Sequence, residues 1–305
     1  MWIRLIETTE GGRFQVENFP GESSSDCVQF RSVGGSNFLI LVPVYINGTG
    51  PHAFILDSGA THSMISSALA EGLGLDPDSS GQGFGAGGVV QTQSVRVHSI
   101  QVGSACQEDS CAYVLSDLEQ IGVAAKSNIS GLIGYDFLRD FRVTIDYGRN
   151  KLCIARSAEQ CLEAIGSTAI IPFEISPAEP LILLPVLVNG HGPFQFVLDT
   201  AAGRTVVAPE IAVQCAISQD EEVMGAGVGG KLAAKRVNLE SISIGDATIS
   251  NLAAIAGRFL DPIAAEAGAT VHGILGNDVL SRFLVTIDCP GKRLILDTVQ
   301  VVDSR

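Results

Sequence analysis

Apolar and polar residues alternate along this chain with a period of two rather than 3.6. The stretch VQTQSVRVHSIQVG (90–103) alternates as a half-exposed strand does. LILVPVYING (39–48) and LILLPVLVNG (181–190) read as strands with a proline near an edge or bulge. NGTGP (47–51) and NGHGP (189–193) are hairpin turns, and FILD (54–57) and FVLD (196–199) are buried strands. A short helix is expected after Gly134 and again after Gly276, and RVTID with KLCIA forms a closing hairpin. The predicted fold class is all-β with short helices.

The pattern occurs twice. LILVPVYINGTGPHAFILDSGA (39–60) lies over LILLPVLVNGHGPFQFVLDTAA (181–202), with thirteen of twenty-two positions identical. At the same offset of 142 residues, GFGAGG (83–88) lies over GAGVGG (225–230), IQVG over ISIG, and GLIGYDFLRDFRVTID (131–146) over GILGNDVLSRFLVTID (273–288). A constant offset means no net insertion between these landmarks, so the chain is a duplication. Its unit of about 120 residues is too long for a solenoid repeat and describes two similar domains. The expected organisation is an N-terminal extension (1–25), one lobe (26–157), a linker (158–176) with a short helical stretch, and a second lobe (177–305).

Composition narrows the classes of partner. Of 305 residues, 33 are acidic and 19 basic, a net charge of −14 that argues against nucleic acid and anionic membranes. No apolar run reaches the length of a transmembrane helix. MWIRLIETTE carries Arg4 and Glu7 where a signal peptide needs an apolar core. The expectation is therefore a cytoplasmic protein, or a periplasmic or secreted one if the true start lies upstream. The seven cysteines include the near pairs Cys106/Cys111 and Cys153/Cys161, but neither has metal-ligand spacing and no histidine stands near. They read as small buried hydrophobes, the main exception being a Cys106–Cys111 disulfide. No metal or cofactor is expected.

Asp57 and Asp199 pose the chemical question. Each ends an apolar strand, where a charge costs several kcal/mol unless it is paired and hydrogen-bonded. A duplicated unit can bring two identical loops face to face across a pseudo-two-fold axis. Two carboxylates about 3 Å apart cannot both ionise, so they share a proton, one acting as acid and the other as base. Such a pair can activate water and protonate a leaving group. Ser58 and Thr200 carry hydroxyls that can hydrogen-bond across the axis. Gly59 and Ala60 offer N–H groups close to the carboxylate, and the apolar-apolar-Gly segments LIG and ILG suit packing behind the loops.

LDSGA and LDTAA, each with its Asp followed 77 residues later by the glycine of LIGYD or ILGND, resemble the aspartic proteases. Each half is similar to a retropepsin subunit, as in the bacterial retropepsin-like proteases, over nearly the whole chain beyond residue 25. The resemblance implies two pepsin/retropepsin-like β-barrel lobes and an aspartic endopeptidase with Asp57 and Asp199 as the dyad. It implies active-site loops built from Ser58, Gly59, Ala60, Thr200, Ala201 and Ala202. Flaps would be formed by Gly83, Phe84, Gly85, Gly87 and Gly88 in one half, and by Gly225, Gly227, Val228, Gly229 and Gly230 in the other. Two flaps resemble the retroviral dimer more than the one-flap pepsins. The partner would be a peptide or protein bound as an extended strand, with pocket walls from Phe84, Val89, Val228 and Leu232, and one chain would suffice as a monomer. Ala201 stands where the family has glycine, which keeps an alternative open: a weak or inactive peptide-binding scaffold on the same fold.

Two other readings are set aside. GFGAGG and GAGVGG fit the dinucleotide fingerprint by letter, but β-patterned sequence follows where that site needs a helix. The histidines at 52, 62, 98, 191 and 272 are not shared between the copies and read as surface or polar-core residues.

Overall fold

Asn47 and Gly48 (φ 52° and 74°), and Asn189 and Gly190 (φ 49° and 76°), sit in the left-handed region that tight hairpin turns require. Each pair folds an apolar strand back on its neighbour: Leu39–Ile46 on Thr49–Leu56, and Ile182–Val188 on His191–Leu198. The structure, a computed structural model, describes residues 2–5, 26–35, 38–116, 118–156 and 168–298.

Around each hairpin the rest of a lobe is laid down in the same order. The N-terminal sheet runs Arg31–Val33, Leu39–Ile46, Thr49–Leu56, Gly131–Ile133, Met64–Ser66, Ala105–Leu115, Gly88–Val102 and Pro77–Gly85. Leu39–Ile46 also pairs with Gly88–Val102, closing the sheet on itself. The C-terminal sheet repeats this order from Glu174–Ile175 to Gln219–Gly227 and closes through Ile182–Val188 and Gly230–Ile244. Its ninth strand is Trp2–Leu5, paired with the outer edge of Gln219–Gly227. Short helices follow the glycines as expected, at Tyr135–Leu138 and Asn277–Leu280.

A third sheet joins the lobes. Its order is Thr168–Pro172, Arg293–Thr298, Phe283–Asp288, Arg142–Asp146, Lys151–Ala155 and Cys27–Gln29. The two central strands come one from each copy and pair antiparallel. Thr144 faces Thr286 there with their hydroxyl oxygens 2.9 Å apart, so two residues 142 apart meet on the pseudo-two-fold axis. One buried core cluster runs through both lobes and includes Phe54, Phe137 and Phe141 from one and Phe196, Leu275 and Leu280 from the other.

Three expectations change. Residues 168–172 and 174–175, inside the stretch expected as linker, are sheet strands. Residues 2–5 of the expected extension form a strand of the second lobe's sheet; the rest of 1–25, the linker helix and Cys161 lie outside the described residues. The disulfide is Cys27–Cys153, across neighbouring strands of the shared sheet, while Cys106 and Cys111 are free. Strand pairing, not nearness in sequence, brings the two sulfurs together.

Candidate active site

Each aspartate is placed by a parallel pairing. Gly131–Ile133 runs beside the end of Thr49–Leu56, and the Asp57 N–H donates to Ile133 O at 3.0 Å. Gly273–Leu275 does the same for His191–Leu198, with Asp199 N–H to Leu275 O at 3.1 Å. The apolar-apolar-Gly segments therefore thread behind the loops and leave each carboxylate at a strand's end. Both aspartates are buried.

The loops grip each other. Ser58 N–H donates to Thr200 Oγ1 (3.0 Å), and Thr200 N–H donates to Ser58 Oγ (3.1 Å). Each hydroxyl then donates to a carbonyl of the opposite lobe, Ser58 to Leu198 O (2.9 Å) and Thr200 to Leu56 O (2.8 Å). Four buried hydrogen bonds, each contributing about 1 kcal/mol net, hold one loop against the other. Gly59 N–H donates to Asp57 Oδ1 (3.1 Å), and Ala201 N–H donates to Asp199 Oδ1 (2.7 Å).

At Gly59 there is no room for a side chain. A Cβ there would stand 2.5 Å from Asp199 Cγ, which shows how closely the first loop approaches the second aspartate. Ala201 fills the related position without a positive φ, and its methyl joins an apolar cluster of the N-terminal lobe with Leu41, Ile55 and Val90. Burial first, then the neighbouring Asp199, pushes the Asp57 carboxyl up to about 7 against the pull of the Gly59 and Ala60 N–H groups. Among the described residues, Asp57 Oδ2 is buried with no hydrogen-bond partner.

A cleft of about 270 Å³ opens beside Asp199, floored by Gly59 and Ala60 and covered by Gly83, Phe84 and Gly85 of the first flap. The flap hairpins, Pro77–Gly85 with Gly88–Val102 and Gln219–Gly227 with Gly230–Ile244, meet at their tips. Gly87 N–H donates to Val228 O at 2.7 Å, and a Cβ on Gly87 would lie 2.2 Å from Gly230 N. Gly225 and Gly227 pair with the strand Trp2–Leu5 rather than lining the cleft. A strand, not a helix, follows each glycine-rich tip. Of the expected pocket walls, Phe84 and Val228 line the cleft; Val89 is exposed and Leu232 buried, both outside its lining.

Several residues at the site had no functional reading in the sequence. His62 lines the cleft beside Tyr113, with its Nε2 3.8 Å from Glu179. Asp136 accepts from Ser63 N–H and Oγ–H, and Asp278 from Thr205 N–H and Oγ1–H, bracing the chain just after each loop. Burial raises the Asp278 carboxyl against the pull of its Thr205 hydrogen bonds. Ser63/Thr205 and Asp136/Asp278 obey the 142-residue offset, so the repeat held a signal for this brace. His62 has no counterpart and gave none.

Two all-β lobes, each presenting a strand-end aspartate to a shared two-fold crossing beneath paired flaps, define the aspartic proteinase architecture. The sequence pattern of the family described as Aspartyl protease matches residues 42–137 and again 184–279, more than half of the chain, and the two matches are themselves 142 residues apart. The chain belongs to the aspartyl protease family, in a duplicated retropepsin-like form. It is similar to the crystal structure of an aspartic proteinase from Irpex lacteus, at 14% identity and a TM-score of 0.52, over 91% of this chain and 99% of that one; this likeness concerns the fold. DNA damage-inducible protein 1 of Eremothecium gossypii is 34% identical over 120 residues, 38% of this chain and 23% of that protein's length. Among the described residues no helix is long and apolar enough to cross a membrane.

Proposed function

We propose that the protein is an aspartic endopeptidase that hydrolyses peptide bonds with water activated between Asp57 and Asp199. The observation that carries this reading is the crossed pair of loops, which holds two buried carboxyls at one crossing, Asp199 on the cleft wall. Asp57, enclosed and favoured in its neutral form, carries the proton; Asp199, which lines the cleft, is the base. Asp199 takes a proton from water as the water oxygen bonds to the scissile carbonyl carbon, and Asp57 gives its proton to the carbonyl oxygen. In the second step the amide nitrogen takes the proton from Asp199 and the C–N bond breaks. A hydroxyl proton of the collapsing diol returns to Asp57, so a carboxylic acid and an amine leave and the dyad is reset.

The substrate is an extended peptide lying under the flaps, bound in strand-like fashion, and neither metal nor cofactor takes part. Two lobes of one chain make the cleft, so the working unit is a monomer. The rival reading as a non-catalytic scaffold leaned on Ala201. That residue keeps both an allowed backbone and its N–H bond to Asp199, which favours the enzyme. Digestion of a peptide library tests the choice. Cleavage by the wild type and none by Asp57→Asn is expected; equal product from both proteins overturns the mechanism.

A further inference from the structure

The motif that threads behind each loop ends differently in the two copies, LIGYD in the first and ILGND in the second. Tyr135 and Asn277 are thus related by the pseudo-two-fold axis. So are Tyr147 and Cys289, each just after a central strand of the shared sheet. The axis accordingly pairs Asn277 with Tyr147 on one side and Tyr135 with Cys289 on the other. Cys289 lies close enough to Tyr135 to influence its phenol, after burial the next cause of that group's rise. The first of these pairs is hydrogen-bonded.

Asn277 is completely buried. Its Nδ2 donates to Thr200 O at 2.7 Å and to Phe38 O at 3.2 Å, and its Oδ1 accepts from the Tyr147 hydroxyl at 2.8 Å. Both carbonyls can only accept, so the amide has one workable orientation and its two donors and its oxygen are all engaged. The Tyr147 ring is held edge-on by Phe30 and Phe38, with centroids at 6.3 and 5.9 Å. Burial drives its phenol well above the ordinary value, so the hydroxyl keeps its proton and donates. Tyr147 of the first lobe is thereby linked, through Asn277, to the carbonyl next to Asp199 in the second.

We propose that Asn277 is a positioning residue, its amide oriented by Tyr147 of the opposite lobe so as to fix the Asp199 loop through the Thr200 carbonyl. Tyr135, in the related place, has no amide to offer Ser58, so this clamp serves the Asp199 side alone. The proposal rests on the dyad reading, because a loop needs fixing to within a fraction of an ångström only if its carboxylate must meet a reacting atom. Misplacement on the order of 1 Å costs about 100-fold in rate.

Steady-state kinetics on a cleaved peptide, together with hydrogen exchange of the segment 196–203, tests it in the full chain. Asn277→Leu, of similar size, is expected to lower kcat about 10- to 100-fold with KM changed less than about threefold. Tyr147→Phe removes only the hydroxyl, keeps the packing, and should lower kcat about threefold to tenfold. In the Asn277→Leu background, Tyr147→Phe should cost nothing further, because both act through one contact. Exchange in 196–203 should quicken in each single variant. Unchanged kcat and exchange in Tyr147→Phe, or losses that simply multiply in the double variant, would overturn the clamp. If Asn277→Leu does not fold, Tyr147→Phe decides alone. A wild type that cleaves nothing sinks the protease reading, and exchange then still judges the clamp: faster supports it, unchanged overturns it.

Discussion

The loops at 57–60 and 199–202 make the same hydrogen bonds to each other and differ in their freedom to carry a methyl group. Gly59 presses against Asp199, with no space for a Cβ, while Ala201 sits in an apolar niche of the other lobe. The backbone contacts are symmetric, but the surroundings are not. Duplication within one chain lets each copy answer to its own neighbours. A homodimer would place the same residue in both loops and would be held to the stricter of the two sites.

Removing either carboxyl is the harshest test of whether the loops still act as one unit. Asp57→Asn and Asp199→Asn should each lower kcat on the order of 10³-fold or more, the scale for cooperating catalytic groups. An Asp199→Asn protein with near wild-type turnover would break the comparison. Exchanging the small residues comes next. Gly59→Ala should cost about 100-fold in kcat by displacing the Asp199 carboxyl, whereas Ala201→Gly should change it less than about tenfold. Equal effects from the two would show that the niche around Ala201 is no wider than the site at Gly59.

The pH dependence follows from the burial of Asp57. Asp57 is pushed up to about 7 in the folded protein, above its unfolded value, so its neutral form is the favoured one. The stability it contributes is fully present below the ordinary carboxylate value near 4 and is lost as pH rises through about 7. Asp57→Asn should therefore raise the Tm at pH 8 by several degrees and leave it nearly unchanged at pH 4. The rate should peak at roughly pH 4–6 and fall as the Asp57 proton is lost. A pH–rate profile still rising above pH 8 would contradict this.

The smallest effect concerns the disulfide, which belongs to one copy only. At the offset of 142, its positions carry Ala169 and Ile295 in the other copy. Cys27→Ser with Cys153→Ser should cost about 2–4 kcal/mol of stability. It should alter kcat less than about twofold, since the bond lies at the far edge of the shared sheet.

What repeats was legible and what does not repeat was hidden. Asp57, Asp199 and the hairpin tips at 85–88 and 227–230 stand out because local pattern and a fixed offset mark them twice. The shared sheet was not legible, because the pairing of 142–146 with 283–288 depends on how the two copies meet and not on alternation within either. Cys27 and Cys153, 126 residues apart, become neighbours only through that sheet. Asn277 and Tyr147 escaped for the opposite reason: a search for sameness passes over positions where the copies disagree.

The strand Arg293–Thr298 pairs with both Phe283–Asp288 and Thr168–Pro172, and the Asp199 loop hangs on Leu275 and Asn277. On the ribosome, synthesis runs at about 5–20 residues per second and N-terminal parts fold first. The first lobe can thus take shape with Asp57 in place while the partner of its central strand is still unmade. The two carboxyls come together only when the residues from 273 to 298 have emerged. On the protease reading, the nascent chain therefore holds no paired carboxyls before that point, a consequence of the order of strands alone.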